Sequence, residues 1–264
     1  MKFLLDNFTG ILIGIVSSLI VLLLQGFIRV FSLVVAAWIR KTGTLGPIWG
    51  FQRASEVYVV SGSIQKAAAT LLGPDADAAN ESIATMRFVR PNTKLIRLYS
   101  TSQPPEETTS NVIAIGGPVN NAITQRFMSR PEISKHIVFA KSKKDPEIPV
   151  LVDKMTKPNS VYEPTYQGDE VESDYGLILK LPNPLGDQSE ILILAGCDTH
   201  GVLAAARSIS LHPDANVVLK AIRKHLGLGA YFRENYFAAI VHCIAVGNDV
   251  TRLKLVDFHP LNNS

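Results

Sequence analysis

The sequence predicts an α/β protein: an N-terminal transmembrane helix, then a mainly parallel sheet with helices on both faces and with inserted and terminal β-hairpins. Three observations predict it. An apolar stretch without charges opens the chain, short β-branched runs then alternate with helix-length segments, and three of those runs leave through glycine-containing loops.

Residues 8–28 read FTGILIGIVSSLIVLLLQGFI, with no ionisable residue over 21 positions. At about 1.5 Å per residue, such a helix crosses a hydrocarbon core of about 30 Å. A cleavable signal peptide would have a shorter apolar region with a small-x-small site close behind it, and neither is clear here. Arg29, Arg40, Lys41 and Arg53 follow the span, whereas Lys2 and Asp6 precede it. The positive-inside bias therefore predicts a single-pass protein of the plasma (inner) membrane, with the N-terminus outside and the C-terminal body in the cytoplasm. The run VFSLVVAAWI, 30–39, is too short to cross and is expected to lie at the interface, with Trp38 at headgroup level. Gly10, Gly14 and Ser18 recur every four residues on one helix face. They suit either a plain anchor or the contact of a homo-oligomer. The expected organisation is a membrane region over 1–40, a Gly/Pro-rich linker KTGTLGPIWG over 41–50, and one body over 51–264.

The body opens with VYVV, 57–60, a β-branched strand that ends in Ser61, Gly62 and Ser63. Residues 65–72 read as a helix stopped by Gly73 and Pro74. Asp75 is placed to cap a second helix, whose Ala79, Ile83, Met86 and Phe88 approximate one face. Pro91 ends it, and KLIRLYS, 94–100, is the second strand. The third strand, 112–115, lies within NVIAIGGPVNN, 111–121. A helix over 122–128 and a fourth strand, HIVFAK over 136–141, continue a βαβ repetition that implies a parallel sheet. Residues 161–166 and 175–181, separated by the acidic GDEVESD, read as an inserted hairpin. ILILAG, 191–196, resumes the buried pattern and leads through CDTHG into the small-residue helix VLAAARSI, and another helix covers 215–226. The tail FAAIVHCIAVGNDVTRLKLVDF forms two runs around Gly247, Asn248 and Asp249, an antiparallel hairpin. Arg252 and Lys254 alternate with Leu253 and Leu255, as on an edge strand.

Composition excludes several classes. A net charge of +3, with KSKK at 141–144 as the largest basic cluster, is too mild for a nucleic-acid partner. That cluster reads as a solvated loop, with anionic lipid or an anionic ligand as the alternative. Cys197 and Cys243 fit neither a disulfide framework nor a metal site, which places the body in a reducing compartment. His136, His212, His225 and His259 show no metal-ligand spacing, so no metal or cofactor is expected.

Function is expected at the three loops VVSGS, AIGGP and LAGCDTHG. In an open parallel sheet, ligands sit at the carboxyl ends of the strands, where loop N–H groups and helix N-termini favour anions. Gly62, Gly116, Gly117, Gly196 and Gly201 allow close backbone approach, while Ser61, Ser63, Asn120, Asn121, Asp198 and Thr199 offer hydrogen bonds to phosphate, ribose or base. The competing reading is ordinary strand exit and helix capping. No GxGxxG and no GxxxxGK[ST] occurs, which excludes a standard dinucleotide site and an ordinary P-loop. Cys197 and His200 set a thiol and an imidazole within one turn, suited either to nucleophilic chemistry or to a plain loop.

A membrane helix, a basic linker and a Rossmann-like body with IGGPVNN and LAGCDTHG turns resembles the membrane-anchored nucleotide-sensor effectors of bacterial antiviral systems, whose sensor modules are of SLOG or CARF type. The strand-GGP-x-N-helix and strand-AG-x4-G-x2-AAA-helix segments are also similar, more weakly, to domains of archaeal surface-layer proteins. The first resemblance implies a small nucleotide-like ligand and signalling by self-association at the membrane. The alternatives are a membrane-anchored hydrolase or glycosyl-transfer enzyme acting on a nucleotide or sugar through Cys197 and His200, or a structural envelope protein.

Overall fold

The computed structural model describes residues 20, 23–27, 43, 45–51, 56–62, 73–99, 109–227 and 235–261. The chain divides into two units, Met1–Gly43 and Thr44–Ser264. Of the expected span, residues 20 and 23–27 are described and helical, and no helix among the described residues is long and apolar enough to cross a membrane. Gly10, Gly14, Ser18, the 30–39 run, Ser63 and the helix expected over 65–72 lie outside the described residues.

In the second unit the β-branched runs become strands, and the order of elements is β1 (Glu56–Ser61), α1 (Gly73–Val89), β2 (Lys94–Tyr99), β3 (Val112–Ile115), α2 (Ala122–Met128), α3 (Pro131–Ser134), β4 (Ile137–Lys141), β5 (Pro149–Asp153), β6 (Ser160–Tyr162), β7 (Thr165–Gln167), β8 (Glu170–Pro182), β9 (Glu190–Gly196), α4 (Thr199–Ser208), α5 (Ala215–Leu226), β10 (Phe237–Val246) and β11 (Asp249–Pro260). The main sheet runs β11-β10-β8-β9-β3-β1-β2, with β7 beside β8. Strands β9, β3, β1 and β2 are mutually parallel. Strands β8, β10 and β11 are each antiparallel to their neighbours. The fold is thus mixed α/β, a parallel block joined to antiparallel hairpins.

Two departures from the expected topology have a common cause. Strand β4 is a strand as expected, but it leaves the main sheet and pairs antiparallel with β5 in a second sheet, β4-β5-β6. Only residues 142–148 join β4 to β5, and only 183–189 join β8 to β9. Connections that short cannot hold a crossover helix, so each reverses the chain. The expected hairpin over 161–166 and 175–181 is also redistributed. Its first half divides between β6 and β7, and the acidic stretch is not a loop but the start of β8, which turns back from β7 around Gly168 and Asp169.

Strand alternation sorts the core into two layers. Val57, Val59, Leu192 and Leu194 face Ala79, Met86, Leu203 and Val218 of α1, α4 and α5. Val60, Ile191 and Ile193 face Ile123 and Phe127 of α2, Ile133 of α3 and Leu151 of the second sheet. Burial on both faces explains why β3 and β9 read as unbroken apolar runs. Helix α4 is rich in alanine because it rides against β8, where a side chain at Gly176 would overlap the Gly201 carbonyl.

The second half of the Gly/Pro-rich stretch is part of this core. Leu45, Ile48, Trp49 and Phe51 are buried, and the Trp49 indole N–H donates to the Ile209 carbonyl at 2.6 Å. Lys180 of β8 reaches the same segment, donating to the carbonyls of Pro47 (3.1 Å) and Gly50 (3.3 Å), and pairs with buried Glu190 at 3.7 Å. Apolar side chains placed among the turn residues outweigh the turn composition, so the body begins before residue 51.

Candidate functional site

The chain leaves β1 on one face of the sheet through α1 and leaves β3 on the other face through α2, while β1 and β3 are neighbours. Their carboxyl ends therefore flank a topological switch point, the place where open α/β sheets take ligands. Because β9 adjoins β3, the three glycine loops are brought together on that edge. The ladders run on into them, with the Gly62 N–H donating to the Ile115 carbonyl at 2.8 Å and the Gly116 N–H to the Leu194 carbonyl at 2.9 Å.

The loops touch one another. A β-carbon at Gly62 would lie 3.0 Å from the Asn120 carbonyl, and one at Gly117 3.2 Å from the Gly196 carbonyl. Gly116 has φ of +120°, a conformation that favours glycine. Asn121 is wholly engaged: its amide donates to the carbonyls of Val60 and Ile115, both at 3.0 Å, and its oxygen caps α2 by accepting from the N–H groups of Ile123 and Thr124. It pins the ends of β1 and β3 together. Gly117, Pro118 and Asn120 are half-buried and Val119 is exposed, so the tip of this loop is open to solvent.

Asp198 caps α4 through the Thr199 N–H at 2.5 Å, also accepts from the Thr199 hydroxyl at 3.2 Å, and takes the Tyr166 hydroxyl at 3.3 Å on its other oxygen. Side chains at Gly196 or Gly201 would collide with backbone of the same turn or of β8. Under that turn lies Asp174, fully buried, which accepts from the N–H groups of Tyr175 (2.7 Å), Asp198 (3.0 Å) and Gly201 (2.5 Å). Burial pushes its carboxyl up to about 7 despite those donors.

Cys197 and His200 are drawn to different partners. Cys197 belongs to the core layer shared with α2, with its sulfur 3.5 Å from the Tyr162 carbonyl. Burial, with Asp174 nearby, holds its thiol well above the usual range. His200 Nε2 lies 2.7 Å from the Gly247 carbonyl in the β10–β11 turn.

Two residues at this edge escape a reading of sequence. Asp174 sits in a stretch that looks like a loop, and Asp75 looks like a cap. The structure starts α1 at Gly73 and puts Asp75 inside its first turn, 2% exposed. Burial, then Asp198, raises its carboxyl to about 7. Seven buried side-chain polar atoms have no hydrogen-bond partner among the described residues, and four of them, Ser61 Oγ, Asp75 Oδ1, Thr124 Oγ1 and His200 Nδ1, belong to this edge. Such atoms are costly unless something satisfies them, and four of the seven gather here. The sequence matches no protein-family model, and no curated protein is similar to it.

Proposed function

We propose that the body is a Rossmann-like binding module, held at a membrane by the apolar N-terminal segment, that takes a small nucleotide-like ligand at the switch-point edge. It acts as a sensor or effector whose bodies self-associate when the ligand binds. The carrying observation is the gathering of four buried polar atoms, unpartnered among the described residues, where the β1, β3 and β9 loops meet. The solvent-open loop tip of 117–120 suits a phosphate, while Asp75 and Ser61 suit the hydroxyl and amino groups of ribose or base. An enzyme using Cys197 is less well supported, because a buried thiol held protonated is a poor nucleophile.

Differential scanning fluorimetry of the detergent-extracted full chain against linear and cyclic nucleotides tests the proposal. A saturating ligand at about 100 times its Kd stabilises by about 2.7 kcal/mol, a rise in Tm of roughly 5–11 °C for a domain of this size. No shift across the panel, together with no copurified small molecule by native mass spectrometry, overturns it.

A further inference from the structure

On the lateral edge strand β11, Asp257 and His259 converge with Asp153 of the second sheet. Asp153 closes β5 and is wholly buried, while Asp257 and His259 alternate on β11 and so project from one face of that strand. His259 Nε2 lies 2.7 Å from Asp153 Oδ2 and 3.3 Å from Asp257 Oδ1, and the three ligand atoms all lie within 4.8 Å of one another. The remaining valences hold the carboxylates in place. Asp153 Oδ1 accepts the Met155 N–H at 2.8 Å, Asp257 Oδ1 accepts the Phe258 N–H at 2.8 Å, and Asp257 Oδ2 accepts the Tyr162 hydroxyl at 3.2 Å.

One imidazole N–H cannot serve two carboxylate oxygens equally well, and among the described residues no lysine or arginine forms an ion pair with either carboxylate. We infer that Asp153, Asp257 and His259 bind one divalent cation, zinc or manganese. Two carboxylates balance its charge, and an O,O,N donor set without thiolate suits those ions. Metal–ligand bonds of about 2.1 Å set tetrahedral ligand atoms about 3.4 Å apart. The Asp257–His259 separation already matches, and the Asp153–His259 contact has to open by less than about 1 Å. Tyr162 and the Met155 N–H are the outer partners that orient such ligands. Beside the cluster, His136, Lys154, Met155 and Pro260 line a cavity of about 680 Å³, and Lys154 and Pro260 directly follow Asp153 and His259 in sequence. Three protein ligands leave one tetrahedral position free for water or a bound group, the pattern of a catalytic metal site.

The test is titration of the tag-free, chelator-stripped full chain with Co²⁺, read by visible d–d absorption, followed by Zn²⁺ competition. The expected result is one ion per chain with a four- or five-coordinate spectrum that Zn²⁺ displaces. Tyr162→Phe should weaken binding by about tenfold with the fold intact, and His259→Ala should abolish the spectrum. His259→Ala strands a buried carboxylate and can fail to fold, so Tyr162→Phe and the wild-type stoichiometry stand independently of it. The inference is overturned if the wild type gives no stoichiometric spectrum, or if affinity is unchanged in Tyr162→Phe and Asp257→Asn at native circular dichroism.

Discussion

Two regions of the body differ in how their polar groups are satisfied. At the carboxyl ends of β1, β3 and β9, Ser61, Asp75, Thr124 and His200 each keep a buried atom without a partner among the described residues, and Asp198 lies close enough to raise the carboxyls of Asp75 and Asp174. Elsewhere the buried ionisable groups have partners within the chain: Lys180 of β8 pairs with Glu190, and His259 of β11 hydrogen-bonds Asp153 and Asp257. Both regions bury ionisable groups, but only in the second does each one meet a side-chain partner within the chain. On the proposal above the first region takes a ligand from outside, whereas the second holds the chain together and carries the inferred cation. Substitutions in each region should therefore fall on different observables.

The largest expected effect breaks the matched region. Lys180→Met removes the cation beside Glu190, which is 3% exposed, and also removes the donor to Pro47 and Gly50. Leaving one member of a buried pair costs about 3–5 kcal/mol, whereas replacing both members by apolar groups is often neutral. Urea unfolding should show that loss for Lys180→Met and most of it restored in Lys180→Met/Glu190→Leu. A single-variant loss below about 1 kcal/mol would mean that the pair does not hold this region.

The next effect concerns the unmatched region and has the opposite sign. Asp75 titrates near its ordinary value of 3.8 when unfolded and near 7 when folded. The folded state thus holds the proton more tightly, and this stabilisation is complete below about pH 4 and lost as pH rises through 7. Asp75→Asn, which never ionises, should therefore gain about 1–3 kcal/mol on the wild type between pH 5 and pH 8. Asp174 titrates in the same sense and persists in the variant, so the slope of stability against pH shrinks without vanishing. Parallel slopes for the two proteins would show that Asp75 is charged or solvated across the range.

This contrast was only half legible in the sequence. Glycine loops after β-branched runs announced the first region, and β1, β3, β9, α2 and α5 fall where their patterns and caps put them. Asp75 and Asp174 did not stand out, because burial of a carboxylate depends on what packs over it, which periodicity does not record. The second region was harder still. Asp153 and His259 lie 106 positions apart, and β5 was missed because Pro149 and its short connection to β4 resemble a turn. One local signal existed, since Asp257-x-His259 on an alternating strand puts both side chains on one face. Within 41–50, Leu45, Ile48 and Trp49 bury fully while Gly46 and Pro47 stand between them, a burial that turn-rich composition does not announce.

The smallest effect on stability is the most telling for function. Asn120 and Asn121 are adjacent and chemically identical, yet the structure gives them different work. Asn121→Ala would remove a helix cap and both carbonyl contacts to β1 and β3, so lost binding in that variant would be uninformative. Asn120 is half-buried at the open loop tip, and its contribution to the turn is its backbone N–H, which donates to the Gly117 carbonyl at 3.1 Å and which alanine keeps. Asn120→Ala should change stability by no more than about 0.5 kcal/mol. If a nucleotide phosphate or base rests on this tip, losing one hydrogen bond weakens it by about 5–10-fold in isothermal titration with the nucleotide that gives the largest thermal shift. Equal affinity at equal stability would move the ligand away from the β3 loop and toward Asp75 and Ser61, where the unpartnered atoms lie deeper.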